Sequence, residues 1–215
     1  GQSLLVYSGT YDDTSVFLAL DNPGWATCTH GFMMIGIYKS TCNTLGCLES
    51  FRCSKPVGSN GMTNCVDISV GDTPQAYIEC PNGLLLHGIY RGSSDTIFGI
   101  DMLRCCEFTH PTRQLIVGSV TEVNWVLCLD DVNIWCIVSS NQYMTGIYRN
   151  ICSELYCIEY ARQRAVYTVP TPNPTKTPTP APTNRPTLIP TAMPTLGPTY
   201  NPSISPTLSP TSCLF

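Results

Sequence analysis

The tetrapeptide Gly36-Ile37-Tyr38-Lys39 recurs twice along the chain, as Gly88-Ile89-Tyr90-Arg91 and as Gly146-Ile147-Tyr148-Arg149. Further residue types recur at fixed distances from each glycine. Aliphatic residues follow nine and twelve positions later, an acid thirteen positions later and an arginine sixteen positions later. These arginines are Arg52, Arg104 and Arg162. Agreement at several independent offsets indicates internal duplication, and such repeats set the architecture of a domain.

Each copy has the pattern of a β-hairpin. A short aliphatic and aromatic run ends in the tetrapeptide, a polar loop follows, and a second apolar run ends at the arginine. We therefore predict an all-β, disulfide-rich domain over residues 1–168. Its three repeats would cover about 1–56, 57–112 and 113–168, in a pseudo-threefold β architecture such as a trefoil or a prism. Three small modules on one string are the alternative.

The repeats also carry charges at fixed positions. The base that ends each tetrapeptide lies ten residues before an acid, and an antiparallel return of the chain brings these two positions near each other. We expect cross-strand ion pairs worth about 0.2–1 kcal/mol each. The predicted pairs are Lys39–Glu49, Arg91–Asp101 and Arg149–Glu159.

Thirteen cysteines indicate an oxidising compartment, since none of them forms a Cys-x2-Cys motif of the kind that holds zinc. We predict an extracellular protein, either secreted, held at the cell surface or released in a fibril. The start Gly1-Gln2-Ser3 reads as that of a processed chain.

The repeat frame predicts how the cysteines pair. Cysteines six and eleven residues after the glycine occur together in the first and third copies, and Ser94 and Gly99 replace both in the second. Cysteines that are present and absent together are most simply partners, which predicts Cys42–Cys47 and Cys152–Cys157. Cysteines eight before and seventeen after the glycine predict Cys28–Cys53 and Cys80–Cys105. The remainder are assigned as Cys128–Cys136 and Cys65–Cys106. This leaves Cys213 as a candidate for an intermolecular disulfide, with a free or capped thiol as the alternative.

The last fifth of the chain has a different organisation, with a proline at every fourth residue from Pro170 to Pro210 and a hydroxyl residue after each one. Proline at this spacing excludes a helix and a central strand. The unit Pro-[Thr/Ser]-x-x therefore predicts an extended, polyproline-II-like rod over residues 169–215. Its eleven units, forty-four residues, would span roughly 136 Å at about 3.1 Å per residue.

From Val169 to Thr211, this composition resembles that of the hydroxyproline-rich, Pro/Thr-rich extracellular glycoproteins of plants and algae. Hydroxyl residues beside proline on an extended chain also suit O-glycosylation. The candidate glycosylation sites are Thr171, Thr175, Thr179, Thr183, Thr187, Thr191, Thr195, Thr199, Ser203, Thr207 and Thr211. The resemblance implies hydroxylation at Pro174, Pro178, Pro182, Pro186, Pro190, Pro194, Pro198, Pro202, Pro206 and Pro210.

Charge and motifs argue against several functional classes. The first 168 residues carry fifteen acidic and nine basic side chains, a net charge of −6, which does not favour nucleic acid as a partner. No apolar run reaches the roughly 18 residues of a membrane span. The histidines His30, His87 and His110 lack zinc-ligand spacing. We interpret Asp12-Asp13 and Asp130-Asp131 as solvated turns rather than a calcium site, and we expect no enzyme, metal or cofactor.

Two functions remain after these exclusions. The first is a secreted structural glycoprotein that assembles with copies of itself into an extracellular fibril or coat, through the β domain and the O-glycosylated rod. The alternative is a lectin-like domain on a mucin-like stalk. In that case the rings of Tyr38, Tyr90 and Tyr148, which occupy equivalent places in the three repeats, are candidate sugar contacts.

Overall fold

The computed structural model describes residues 3–4, 7–15, 20–71 and 73–169. Apart from Val169, which ends a β-strand, the predicted rod lies outside these residues, together with its candidate glycosylation sites, its candidate hydroxyprolines and Cys213. The described part consists mainly of β-strands crosslinked by disulfides, so the predicted disulfide-rich all-β fold is confirmed. These disulfides are compatible with an extracellular or secreted protein.

The strands, in chain order, are β1 (Ser3–Leu4), β2 (Tyr7–Ser15), β3 (Gly24–Thr27), β4 (Met33–Lys39), β5 (Leu48–Pro56), β6 (Gly61–Ser69), β7 (Ala76–Glu79), β8 (Leu85–Arg91), β9 (Ile100–Thr109), β10 (Gln114–Val117), β11 (Thr121–Asn124), β12 (Ile134–Ile137), β13 (Gln142–Arg149) and β14 (Ile158–Val169). A short helix, α1 (Val126–Asp130), precedes β12. Short 3-10 helices lie at the hairpin tips, at Leu45–Cys47, Ile97–Gly99 and Leu155–Cys157.

Each tetrapeptide lies at the end of the first strand of a hairpin, in the pairs β4–β5, β8–β9 and β13–β14. The hairpins share one register, in which the tetrapeptide glycine lies opposite the arginine sixteen residues later. These pairs are Gly36 with Arg52, Gly88 with Arg104 and Gly146 with Arg162. The pairing shifts register at the same two places in all three hairpins, just before the glycine and just after the tyrosine.

The three hairpins belong to three different sheets, and in each sheet the first strand of the hairpin also pairs with one strand from another repeat, called here the borrowed or exchanged strand. The strand that precedes a hairpin in the sequence pairs with the next hairpin instead of its own. Thus β3 pairs with β8, β7 pairs with β13, and β12 closes the cycle by pairing with β4. On the other side, β2 completes the first sheet, β6 the second, and β11, β10 and β1 pair with β14 in the third. This cyclic exchange does not agree with three separate modules on a string.

The three hairpin tips meet one another through backbone hydrogen bonds. In each tip the first residue of the 3-10 helix is fully buried and donates its N–H to a carbonyl of the next tip. The bonds run from Leu45 to Asp95 (2.8 Å), from Ile97 to Ser153 (3.0 Å) and from Leu155 to Asn43 (2.8 Å). Together with the strand exchange, this ring of bonds joins the three sheets around one continuous core.

Six disulfides crosslink the described part of the chain, and they join the same cysteine pairs that the spacing predicts. These are Cys28–Cys53, Cys42–Cys47, Cys65–Cys106, Cys80–Cys105, Cys128–Cys136 and Cys152–Cys157. Two of them link neighbouring sheets. Cys28 directly follows β3 of the second sheet and bonds to Cys53 in β5 of the first, and Cys80–Cys105 repeats this link one step round the cycle.

The glycine of each tetrapeptide lies close to the exchanged strand, and the isoleucine after it packs in the core. A Cβ at Gly36 would lie 2.7 Å from the Cys136 carbonyl, and one at Gly88 would lie 2.7 Å from the Ala26 carbonyl. Only glycine therefore lets the exchanged strand pair this closely. The isoleucine that follows each glycine is buried in the core.

The base that ends each tetrapeptide is buried, which was not expected from the sequence. Lys39 and Arg149 are fully inaccessible, and Arg91 is 7% exposed. Each side chain donates to a carbonyl just ahead of the strand that its hairpin borrows. Lys39 Nζ donates to Leu129 O, Arg91 Nη1 to Leu20 O, and Arg149 Nη2 to Gly71 O. The bases therefore anchor the exchanged strands.

The predicted cross-strand ion pairs Lys39–Glu49, Arg91–Asp101 and Arg149–Glu159 are consequently wrong. The register shifts by one residue after the tyrosine, so that Leu48, and not Glu49, lies opposite Lys39. In the second copy Arg91 Nη2 pairs with Asp95 at 3.0 Å instead. In the third, the Glu159 carboxylate accepts a hydrogen bond from the Asn150 amide at 2.5 Å.

The residue before each glycine lies at the register shift and is also buried. Ile35 and Thr145 occupy this position in two copies, and His87, which is 4% exposed, occupies it in the second. The Phe32 carbonyl can only accept, so His87 Nδ1 donates to it, at 2.8 Å. Burial lowers the pKa of His87, the bond to Phe32 opposes this, and the positive charges of Arg104 and His30 add to the lowering.

A buried histidine of this kind makes the fold sensitive to acid. Because its folded-state pKa lies below the unfolded value of about 6.5, the unfolded state binds more protons as the pH falls through that value. We expect the free energy of unfolding to decrease below pH 6.5, with a limiting contribution of about 1.4 kcal/mol per pH unit. Urea unfolding between pH 7 and pH 5 measures this slope.

Two variants isolate the contribution of His87. Replacing His87 with isoleucine, the residue at the same position of the first copy, should flatten the slope between pH 6.5 and pH 5. Replacing the exposed His30 with glutamine should leave most of it. Equal slopes in the His87→Ile variant and the unmodified protein would assign the acid sensitivity to other groups.

Candidate functional site: three aromatic–arginine–carboxylate clusters

Each sheet carries a cluster of aromatic, arginine and carboxylate side chains. Strand alternation places these residues on the face opposite the core, because the buried isoleucine and the partly exposed tyrosine of each tetrapeptide are neighbours. Cluster 1 contains Tyr38, Trp135, Arg52 and Asp13; cluster 2 contains Tyr90, Trp25, Arg104 and Asp67; cluster 3 contains Tyr148, Tyr77, Arg162, Glu79 and Glu122.

The aromatic pair in each cluster is a product of the strand exchange. The tyrosine of the tetrapeptide lies directly opposite an aromatic residue of the borrowed strand. The ring centroids are 5.4 Å apart for Tyr38–Trp135, 5.3 Å for Trp25–Tyr90 and 4.9 Å for Tyr77–Tyr148, in tilted or edge-to-face geometry. Such pairs contribute about 0.5–1.5 kcal/mol beyond the area that they bury. The tyrosines therefore also help to hold the borrowed strands.

An arginine guanidinium lies over the borrowed aromatic ring in every cluster. The Cζ atom is 4.1 Å from the ring centroid for Arg52 over Trp135, 4.1 Å for Arg104 over Trp25 and 3.5 Å for Arg162 over Tyr77. These distances are typical of cation–π contacts. The residue opposite each arginine is the tetrapeptide glycine, which has no side chain to compete for this space.

The outer strand adds a carboxylate to each arginine. Arg52 donates from Nε and Nη2 to both oxygens of Asp13 at 2.7 and 2.8 Å, and Arg104 holds Asp67 with the same two distances. In cluster 3, Arg162 instead divides its donors between Glu79 at 2.7 Å and Glu122 at 3.4 Å. Bidentate pairing fixes the plane of the guanidinium against the ring.

The hydrogen bonds within the clusters also set their ionisation. The hydrogen bond from Arg104 is the main cause that lowers the pKa of Asp67 below its usual value, and the bond to Asp13 raises the pKa of Arg52. Burial, reinforced by the Glu122 carboxylate, raises the pKa of Tyr77. The ion pair of cluster 2 therefore stays charged to a lower pH than an isolated aspartate would.

The structure places the predicted site residues in separate settings. Tyr38, Tyr90 and Tyr148 lie in three different sheets, each in its own cluster. Asp13, predicted to be solvated in a turn, lies in strand β2 and pairs with Arg52. Asp130 and Asp131 lie near enough to Lys39 for their charges to raise its pKa, although burial lowers it more strongly.

Part of each cluster was missed at the sequence level although a signal exists. Trp25, Tyr77 and Trp135 each stand eleven residues before a tetrapeptide glycine, a constant offset that identifies them as equivalent positions. The carboxylates Asp13, Asp67 and Glu122 precede their glycines by 23, 21 and 24 residues, so no fixed offset reveals them. They become equivalent only through strand pairing.

The clusters offer recognition chemistry. Partly exposed rings present apolar faces and edges, and the adjoining ion pairs present fixed donors and acceptors, with Asp13 43% and Arg52 25% exposed. Within the described ranges, no group of three or more His, Cys, Asp or Glu side chains is placed to hold a metal ion. None of the helices described is long and apolar enough to span a membrane.

Comparisons of the chain with protein-family models, with curated proteins and with solved structures find no match.

Proposed function

We propose that the protein is a secreted structural glycoprotein subunit that assembles with its own copies into an extracellular fibril or coat. In this proposal the three repeats form one pseudo-threefold domain, and the Pro-[Thr/Ser]-x-x segment is an O-glycosylated rod. The observation that carries the proposal is the combination of a cyclically exchanged, disulfide-crosslinked β domain with eleven periodic proline units. A crosslinked domain resists the extracellular environment, and a long periodic segment suits an axial spacer.

An exposed apolar surface beside the third hairpin tip supports association between copies. Leu127 in α1 is 81% exposed, Ile151 in the tip loop is 65% exposed and Tyr156 in the tip helix is 41% exposed. Helix α1 packs against that 3-10 helix, so these side chains belong to neighbouring elements. Contiguous exposed apolar side chains mark interaction surfaces. In the proposal, a second copy of the chain covers this surface.

Electron microscopy and sedimentation of the full, natively secreted chain test the assembly. We expect filaments or sheets with a regular repeat, and we expect the double variant Leu127→Asp/Ile151→Asp to remain monomeric. Val57, which is 49% exposed elsewhere on the domain, provides the matched control, because Val57→Asp should still assemble. Glycopeptide mass spectrometry should find sugars on the rod. A glycosylated protein that stays monomeric at high concentration would contradict the proposal.

The three clusters favour carbohydrate binding as a second candidate function. Sugar faces stack on aromatic rings, and the paired carboxylate and guanidinium groups can bind hydroxyls. In this hypothesis Tyr38, Tyr90 and Tyr148 contact sugar, and three sites on one domain would bind a multivalent glycan with increased avidity.

A glycan array tests this second function. If the clusters bind sugar, replacing Tyr38, Tyr90 and Tyr148 together with alanine abolishes the signal, and a single replacement weakens it by reducing the valency. Circular dichroism verifies that each variant is folded. Tyr156→Ala, which removes an exposed tyrosine outside the clusters, is the control and should bind normally. The absence of any glycan signal from the unmodified protein would exclude the lectin.

A further inference from the structure

A cleft of about 560 Å³ lies between the second and third sheets, outside the three clusters. Its lining is mixed. Phe108 of the second sheet and Leu115 and Val117 of the third contribute apolar groups, Leu85 and Val166 are themselves buried, and the polar members are Glu107, Thr109, His110, Arg113 and Gln114. Pockets that hold small molecules typically enclose about 300–1,000 Å³ between apolar walls with a few polar groups. The cleft has the size of such a site, and its lining combines apolar and polar groups.

The cleft depends on strand β10, which distinguishes the third sheet from the other two. The outer strand of that sheet is divided into β10 and β11 by residues 118–120, and β10 pairs with the end of β14. In the second sheet the outer strand β6 runs unbroken over nine residues. The cleft therefore depends on a division of the outer strand that the second sheet does not share.

The polar groups at the rim of the cleft differ in whether their hydrogen-bonding atoms are already paired. The Glu107 carboxylate already accepts a hydrogen bond from the Asn64 amide at 2.9 Å. His110 Nδ1 accepts the Thr112 N–H at 3.2 Å, so the neutral ring carries its proton on Nε2 and can donate from there. Arg113 is exposed, and no carboxylate among the described residues lies within ion-pair distance of it. Among the titratable groups of the lining, His110 and Arg113 are therefore available as donors, and Gln114 adds an amide that can donate or accept.

We propose that this cleft binds an amphipathic organic anion, such as a carboxylate with an aliphatic or aromatic body. The apolar body packs between Phe108, Leu115 and Val117, and the carboxylate accepts hydrogen bonds from the Arg113 guanidinium. Burial of aliphatic carbon favours binding by roughly 25 cal/mol per Å². The guanidinium selects an anion because its planar donors match a carboxylate. The proposal is independent of whether the clusters bind sugar or the domain assembles.

Isothermal titration of the full chain with dodecanoate, a twelve-carbon carboxylate, tests the site. We expect saturable binding with a stoichiometry of one, and binding of dodecyltrimethylammonium at least tenfold weaker. Arg113→Gln should weaken dodecanoate binding about five- to tenfold, as expected for the loss of a charge-assisted hydrogen bond at an exposed rim. Leu115→Trp should block the cleft and abolish binding.

Controls separate the cleft from general charge and from misfolding. Lys55→Gln removes one positive charge from a residue that does not line the cleft, and it should leave the affinity unchanged. Circular dichroism and the urea midpoint establish that Leu115→Trp is folded, and Arg113→Gln provides the test if it is not. Equal affinity for both twelve-carbon ligands, or no saturable dodecanoate binding, would overturn the proposal.

Discussion

Replacement of Arg149 with alanine is expected to lower the free energy of unfolding by about 3–5 kcal/mol. The side chain is fully buried, and its guanidinium donates to the carbonyls of Gly71, Thr73 (3.3 Å) and Ile97 (3.4 Å). It also lies 5.3 Å from the Phe98 ring centroid. Truncation therefore leaves a cavity and removes the charged donor from three carbonyls. Urea unfolding at pH 7, followed by tryptophan fluorescence, measures the loss.

Arg113→Ala is the control for this prediction. Arg113 is exposed and should change the stability by no more than about 0.5 kcal/mol. If Arg149 stabilised the protein no more than an exposed arginine does, the two variants would change the free energy of unfolding by similar small amounts. A loss below 1 kcal/mol for Arg149→Ala would show that the buried bases do not anchor the borrowed strands.

Replacement of Gly146 with alanine is expected to destabilise the protein by about 3 kcal/mol. A Cβ at this position would overlap the Ile78 carbonyl and would lie 2.5 Å from Glu79 Cβ and 2.6 Å from its Cα. Two of these neighbours are backbone atoms of β7, so the borrowed strand must move. Hydrogen exchange should show faster exchange of the β7 amides, which pair with β13, than of the amides in the first sheet.

Gly24→Ala is the matched control for this prediction. Gly24 begins another borrowed strand, β3, but a Cβ there would meet nothing within 4 Å. The same chemical change should therefore be neutral or slightly stabilising, because alanine restricts the unfolded chain. Similar losses in the two variants would mean that the cost comes from strand propensity and not from the close approach of β7.

The sequence was sufficient for the hairpins and the disulfides because both depend on residues within one repeat. A pair such as Cys42–Cys47 is separated by five residues, and the hairpin register follows from apolar runs on either side of one loop. The partner of β3 could not be inferred in this way. Its four residues fit the edge of any of the three sheets, and only packing of the whole chain determines that β8 is the partner.

The candidate site also depends on contacts between repeats, which a local sequence pattern does not reveal. Tyr38 was identified as a repeated aromatic residue, but its ring partner Trp135 lies nearly a hundred positions away and belongs to another repeat. Lys39 was misassigned for a related reason. Its burial follows from a one-residue register shift and from a carbonyl of α1, and neither is visible in a local pattern.

The cyclic exchange also determines when the chain can fold during synthesis. The first sheet receives its last strand, β12, from residues 134–137, almost one hundred residues after β4 has been made. Until that segment leaves the ribosome, β4 keeps an unsatisfied edge that could template aggregation. A nascent chain therefore keeps this edge open for longer than a chain of consecutive, self-contained modules would.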